Sequence, residues 1–157
     1  MDFSEAPSQM LENWCWDTSA LKRLSGHYQT GETLPDDVIA SLLRTRAVLP
    51  AVKLMSQLRM TLFDIAVHST AASAEEIDVA KIYGECDKLG GIASVGDEYG
   101  YITHRHLFSG SDAGMYSYLW SKVLAMDMFD TAFKKDPLDD KTGRRYMNMV
   151  LAKGGSE

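Results

Sequence analysis

The sequence predicts an all-α fold, a multi-helix chain with one long glycine-rich loop. Three observations carry that prediction. Apolar residues recur three and four apart, as in Leu54, Met55, Leu58, Leu62 and Ile65. Helix-opening residues and glycine stops punctuate the chain repeatedly. No stretch shows the alternation of a half-buried strand. With no repeat and no interdomain linker, residues 1–157 are expected to form a single domain.

The elements follow in order. Pro7 suits a first helical turn, so a helix starts near Glu5 and carries Met10, Leu11 and Trp14. Asp17 caps a second helix running to about Tyr28, and Gly26 and Gly31 bracket a turn. Thr33 and Asp36 resemble a capping pair, opening a helix with Val38, Ile39, Leu42 and Leu43 inward. Pro50 opens the next helix, with Ala51, Leu54, Met55, Leu58, Leu62 and Ile65 on its apolar face. Ser73 and Glu76 form a capping-box pattern for a helix whose Val79, Ile82, Tyr83 and Cys86 share a face, and Gly90-Gly91 stops it.

Residues 92–114 read differently. Gly96, Gly100, Gly110 and Gly114 interrupt them, leaving an irregular segment with one short extended piece at 99–103. Long loops in compact domains are more often functional than other segments. From Met115 to Lys135 the chain turns apolar, and between Tyr118 and Phe129 only Ser121, Lys122 and Asp127 are polar. That predicts a central buried helix. Residues 139–151 give a last helix ending at Gly154-Gly155.

Composition narrows the function. A chain 45% hydrophobic and 24% charged is ordinary for a soluble globular protein. Sixteen basic residues against 22 acidic, a net charge of −6, argue against nucleic acid, which needs a concentrated basic surface. The pairs Lys22-Arg23, Lys134-Lys135 and Arg144-Arg145 are isolated and read as solvated helix faces. The apolar stretches are too short and too broken to span a membrane. The acidic opening Met1-Asp2-Phe3-Ser4-Glu5 is unlike a signal peptide. Cys15 and Cys86 form no Cys-x-x-Cys pair. A cytoplasmic protein with two reduced, partly buried thiols is expected.

Two clusters could carry chemistry. Glu5, Ser8, Gln9 and Glu12 are spaced to line one helix face, which could serve a metal or proton transfer. A solvent-exposed polar face explains the same spacing. The second cluster is His104-Arg105-His106, then Gly110 to Gly114, Tyr116 and Tyr118. A histidine and tyrosines beside a glycine-rich loop can supply donors to a developing oxyanion. Aromatics packed on the next helix are the plainer alternative, and His-x-His alone is weak evidence of a metal. His27 and His68 lie near predicted helix ends, where terminal carbonyls attract them.

At these clusters the chain resembles the thimet oligopeptidase and neurolysin family of zinc metallopeptidases. Three stretches carry the resemblance: Asp2 to Trp14 around Glu5-Ala-Pro-Ser, His106 to Phe129, and Gly143-Arg-Arg-Tyr146 leading to Lys153-Gly-Gly-Ser156. It implies that Glu5 is the third zinc ligand, joining two histidines from a His-Glu-x-x-His helix. Glu12 would be a supporting carboxylate behind the metal. His106 and Tyr118 would lie on the substrate side and help stabilise the tetrahedral intermediate of peptide hydrolysis. Residues 108–114 would match the family's flexible loop, with Gly110, Asp112, Gly114 and Tyr116 toward the substrate.

The departures are as informative. No His-Glu-x-x-His occurs, because the histidines stand at 27, 68, 104 and 106 and none has another at i+4. Ser111 and Met115 replace family tyrosines, and Arg105 replaces a small residue. The implied protein is thus a partial or degenerate oligopeptidase catalytic domain, expected to bind no zinc and cleave no peptide alone. The alternative is a repurposed protein: a metal-free acid–base enzyme, or a module binding a short peptide or small molecule. It would use Glu5, His106, Asp112 and Tyr118. Without the missing helix, apolar surface around Met10, Trp14 and the 115–129 helix is expected to be uncovered. That surface predicts a homodimer or a covering partner.

Overall fold

The computed structural model describes residues 2–69, 77–91 and 99–156. Every regular element among them is helical: α1 (Ala6–Leu11), α2 (Thr18–Leu24), α3 (Asp36–Thr45), α4 (Pro50–Ser69), α5 (Val79–Leu89), α6 (Tyr116–Met128) and α7 (Asp140–Met149). Short 3-10 turns join several of them, and a π-helical turn, Phe129–Phe133, extends α6. No helix among the described residues is long and apolar enough to cross a membrane.

Local chemistry sets most boundaries. Glu5 stands at the N-cap of α1, with proline in the first turn. Asp17 caps α2 by accepting from the Ala20 amide at 2.9 Å. Ser25 is extended, so α2 stops at Leu24 and does not reach Tyr28. Asp139 caps α7 through the Thr142 amide at 2.9 Å, and that residue's hydroxyl and amide bonds hold the Asp139 carboxyl below its usual range. α5 is capped by Asp78, which accepts from the Lys81 amide at 2.9 Å. The Ser73–Glu76 pattern and Gly96 lie outside the described residues. Leu89 ends α5 where Gly91 adopts a left-handed φ of 64°.

The chain forms two compact units, one within Leu49–Leu119, the other of Asp2–Val48 with the described residues from Trp120 onward. In the first, α4 and α5 enclose Met60, Phe63, Tyr83 and Cys86 together with Leu107 and Met115. The Phe63 ring stands edge-on to Tyr83 at 5.2 Å and tilted to Tyr101 at 5.6 Å. Arg59 pairs with Asp87 and lies 5.3 Å from the Tyr83 ring centre. In the second unit, Met10, Ala125 and Phe133 form the core, flanked by Trp14, Met128, Phe129 and Tyr146. The Trp14 indole donates to Pro137 O at 2.8 Å.

Several expectations are corrected. α4 turns Met60, Phe63 and Asp64 inward, leaving Leu54, Leu58, Leu62 and Ile65 exposed. Its partners α5, Leu107 and Met115 meet the Met60–Phe63 side, which a periodic pattern cannot specify. α6 is not buried all round, since Trp120 and Val123 are 58% and 67% exposed. A helix apolar on every side has no preferred direction; the small residues Ser117, Ser121 and Ala125 mark its buried line. In α3 only Ile39 is buried, Val38 and Leu42 face solvent, and Pro35 takes the N-cap in place of Thr33. Met10 is fully covered rather than left bare. Residues 100–103 form a 3-10 turn, not an extended piece, closed by Thr103 Oγ1 donating to Gly100 O at 3.0 Å.

The thiols also part company. Cys15 is exposed, whereas Cys86 is buried and its thiol is pushed up by burial, then by the charges of Glu85 and Asp87. One thiol should therefore react rapidly with a disulfide reagent in the native protein. The second should react only in denaturant; fast release from both would contradict this packing.

Candidate functional site

His106 and Tyr118 meet in the Leu49–Leu119 unit. His106 ends up half-buried on the 3-10 turn Arg105–Phe108, and Tyr118 lies in the first turn of α6. His106 Nε2 lies 3.1 Å from Tyr118 Oη, and the rings pack edge-on at 5.7 Å. His104 stacks obliquely on His106 at 5.4 Å and places Nε2 2.9 Å from Met115 Sδ. Burial holds the His104 imidazole below its ordinary range, with the neighbouring His106 adding to the effect.

Between these residues runs the glycine-rich connection. Gly110 has a left-handed φ of 80°, which suits glycine. Asp112 and Tyr116 are exposed, and Gly114 is buried. The Gly114 amide donates to Ser111 O at 2.8 Å, and its carbonyl accepts from Ser117 Oγ at 2.7 Å. Ala113 is left-handed too, at φ 54°. The connection is anchored at its far end by Asp64, which accepts from the amides of Ala113 and Met115. Sequence reasoning missed Asp64; its one signal is an acid inside the apolar run Leu62 to Val67, with His68 at i+4.

Glu5 and Glu12 belong to the other unit. Ser8 Oγ donates to Glu5 Oε2 at 3.0 Å and to Glu5 O at 2.9 Å. Glu12 is exposed at the start of the 3-10 turn Glu12–Trp16. His27 sits in the turn after α2, where its Nδ1 accepts from the Thr30 amide at 3.3 Å instead of meeting helix carbonyls. His68 does meet one, with Nδ1 2.9 Å from Asp64 O. A cavity of about 430 Å³ in the second unit is lined by Trp14, Phe133, Leu138, Asp139, Arg144 and Met147 among others, none of them a predicted site residue.

Comparison with known proteins settles the ancestry. The profile of peptidase family M3 matches residues 1–157. The chain belongs to peptidase family M3. Saccharolysin of Saccharomyces cerevisiae is 42% identical over 157 residues, covering 98% of this chain and 22% of the relative. Oligopeptidase A of Escherichia coli is 35% identical, covering 99% and 23%. The thimet-like oligopeptidase of Dictyostelium discoideum is 34% identical, covering 99% and 24%. The chain thus spans under a quarter of the length of these M3 relatives. The resemblance to the thimet oligopeptidase group stands, as does the all-α fold.

M3 is a zinc metallopeptidase family, so the donors present must be weighed against zinc. Structural and catalytic zinc sites draw three or four converging nitrogen, sulfur or oxygen ligands. Among the described residues no three His, Cys, Asp or Glu side chains group closely enough to hold a metal. Glu5 offers one carboxylate, already accepting from Ser8. The donors among the described residues do not fit a zinc site.

Proposed function

We propose that this chain is a portion of an oligopeptidase catalytic domain that does not hydrolyse peptides by itself. Glu5 stands at the position of the family's third-ligand glutamate, and His106 with Tyr118 is the substrate-side pair for a short peptide. The family match over residues 1–157 supports the oligopeptidase part of this reading, and the absence of a His-Glu-x-x-His from the sequence supports the inactivity. The shared hydrogen bond of His106 and Tyr118 supports the pair's role. It fixes a phenol and an imidazole so that a donor can face a peptide carbonyl whose oxygen gains charge during attack. No His-Glu-x-x-His occurs in the chain, so the two imidazole ligands and the general base that would activate a zinc-bound water are not encoded in it.

The test has two readouts. Calorimetric titration with zinc should reveal no nanomolar site, and a quenched fluorescent oligopeptide should stay intact. Tight zinc binding together with cleavage stopped by a chelator would overturn the proposal. Cleavage that survives the chelator and disappears in both His106→Ala and Tyr118→Phe would instead establish a metal-free activity.

A further inference from the structure

Asp64 lies on α4 with its side chain fully buried, 0% exposed. A carboxylate enclosed in a protein core needs donors on its oxygens, because water is not there to supply them. Asp64 has three. Oδ1 accepts from the Ala113 amide at 3.1 Å and lies 2.9 Å from His68 Nδ1. Oδ2 accepts from the Met115 amide at 3.0 Å. His68 Nδ1 also faces the Asp64 carbonyl at 2.9 Å. Both neighbours are pure acceptors, so Nδ1 is the nitrogen that carries the proton.

Two of these donors are backbone groups remote in sequence, and both belong to the end of the glycine-rich connection. Ala113 is held left-handed, a conformation that alanine seldom takes without outside support. Met115 is gripped twice, at its amide by Asp64 and at its sulfur by His104. From Met115 the path divides. Its carbonyl accepts from the Tyr118 amide at 3.4 Å in the first turn leading to α6. Its sulfur contacts the imidazole two residues before His106. Both members of the His106–Tyr118 pair are therefore referenced to one residue, and that residue is fastened to Asp64.

We propose that Asp64 is a positioning residue: its buried carboxylate clasps Ala113 and Met115, and through Met115 sets how His106 meets Tyr118. The clasp stands on these contacts alone; its value for chemistry rests on the substrate-side reading above. It also explains why an acid is buried beside Met60 and Phe63 on this helix. Without this polar service, an aliphatic residue there would pack with Met60 and Phe63 at no desolvation cost.

The test uses the full isotopically labelled chain and two nuclear magnetic resonance readouts, neither of which requires activity. Asp64→Asn keeps the shape but replaces one acceptor oxygen with a donor. Amide exchange at Ala113 and Met115 should accelerate about tenfold or more, while α5 amides such as Cys86 keep their protection. The His106 imidazole signals should shift in the same variant. Faster loop exchange with unmoved His106 signals would reduce Asp64 to a structural clasp and overturn the positioning role. In the unmodified chain both amides should exchange as slowly as those of α5; exchange at open-loop rates would overturn the clasp, whether or not the variant folds. A blank peptide assay bears on neither readout.

Discussion

Replacing Phe63 by alanine is expected to destabilise the Leu49–Leu119 unit by about 3–5 kcal/mol, a large part of a small domain's total. The ring is 0% exposed and touches Tyr83 and Tyr101, so its removal leaves a void that neighbouring aromatics cannot close. Phe63→Leu should lose only about 1 kcal/mol, because most of the volume survives. Urea unfolding followed by circular dichroism would compare the two. Near-equal midpoints would mean that the ring is not the centre of this core. The consequence extends to the site, since Asp64 is the next residue on the same helix.

The second large effect belongs to Trp14. Its ring lies 4.9 Å from Phe133 and 5.1 Å from Phe129, and its nitrogen donates to Pro137 O. Trp14→Ala is expected to destabilise the other unit by about 3–5 kcal/mol. Trp14→Phe keeps the aromatic contact and loses the hydrogen bond, for about 1 kcal/mol. Thermal unfolding of the two variants separates packing from the bond. A Trp14→Ala chain as stable as the parent would contradict the core assigned here.

What could be read from the sequence was local. Pro50, Asp17, Asp139 and Gly91 act on the backbone within a turn of themselves, so the ends they mark were legible. Direction of burial was not. The α4 pattern revealed an apolar row, but a second face of the same helix meets α5. The near-uniform apolar run of α6 gave no direction at all. In the site, His106 and Tyr118 were singled out and do meet. Asp64 escaped because its role exists only through amides 49 and 51 positions away. Buried polar groups are defined by their partners, and partners so distant leave no periodic trace.

The open row of leucines on α4 bears on how the protein behaves at high concentration. Leu54, Leu58, Leu62 and Ile65 offer a sticky ribbon to other molecules in the solution, while the net charge of −6 keeps those molecules apart. Added salt shortens the reach of that repulsion to about 8–10 Å and leaves the ribbon as adhesive as before. Light scattering at a fixed protein concentration is therefore expected to rise with ionic strength at neutral pH; scattering that stays flat would mean that the ribbon does not drive association.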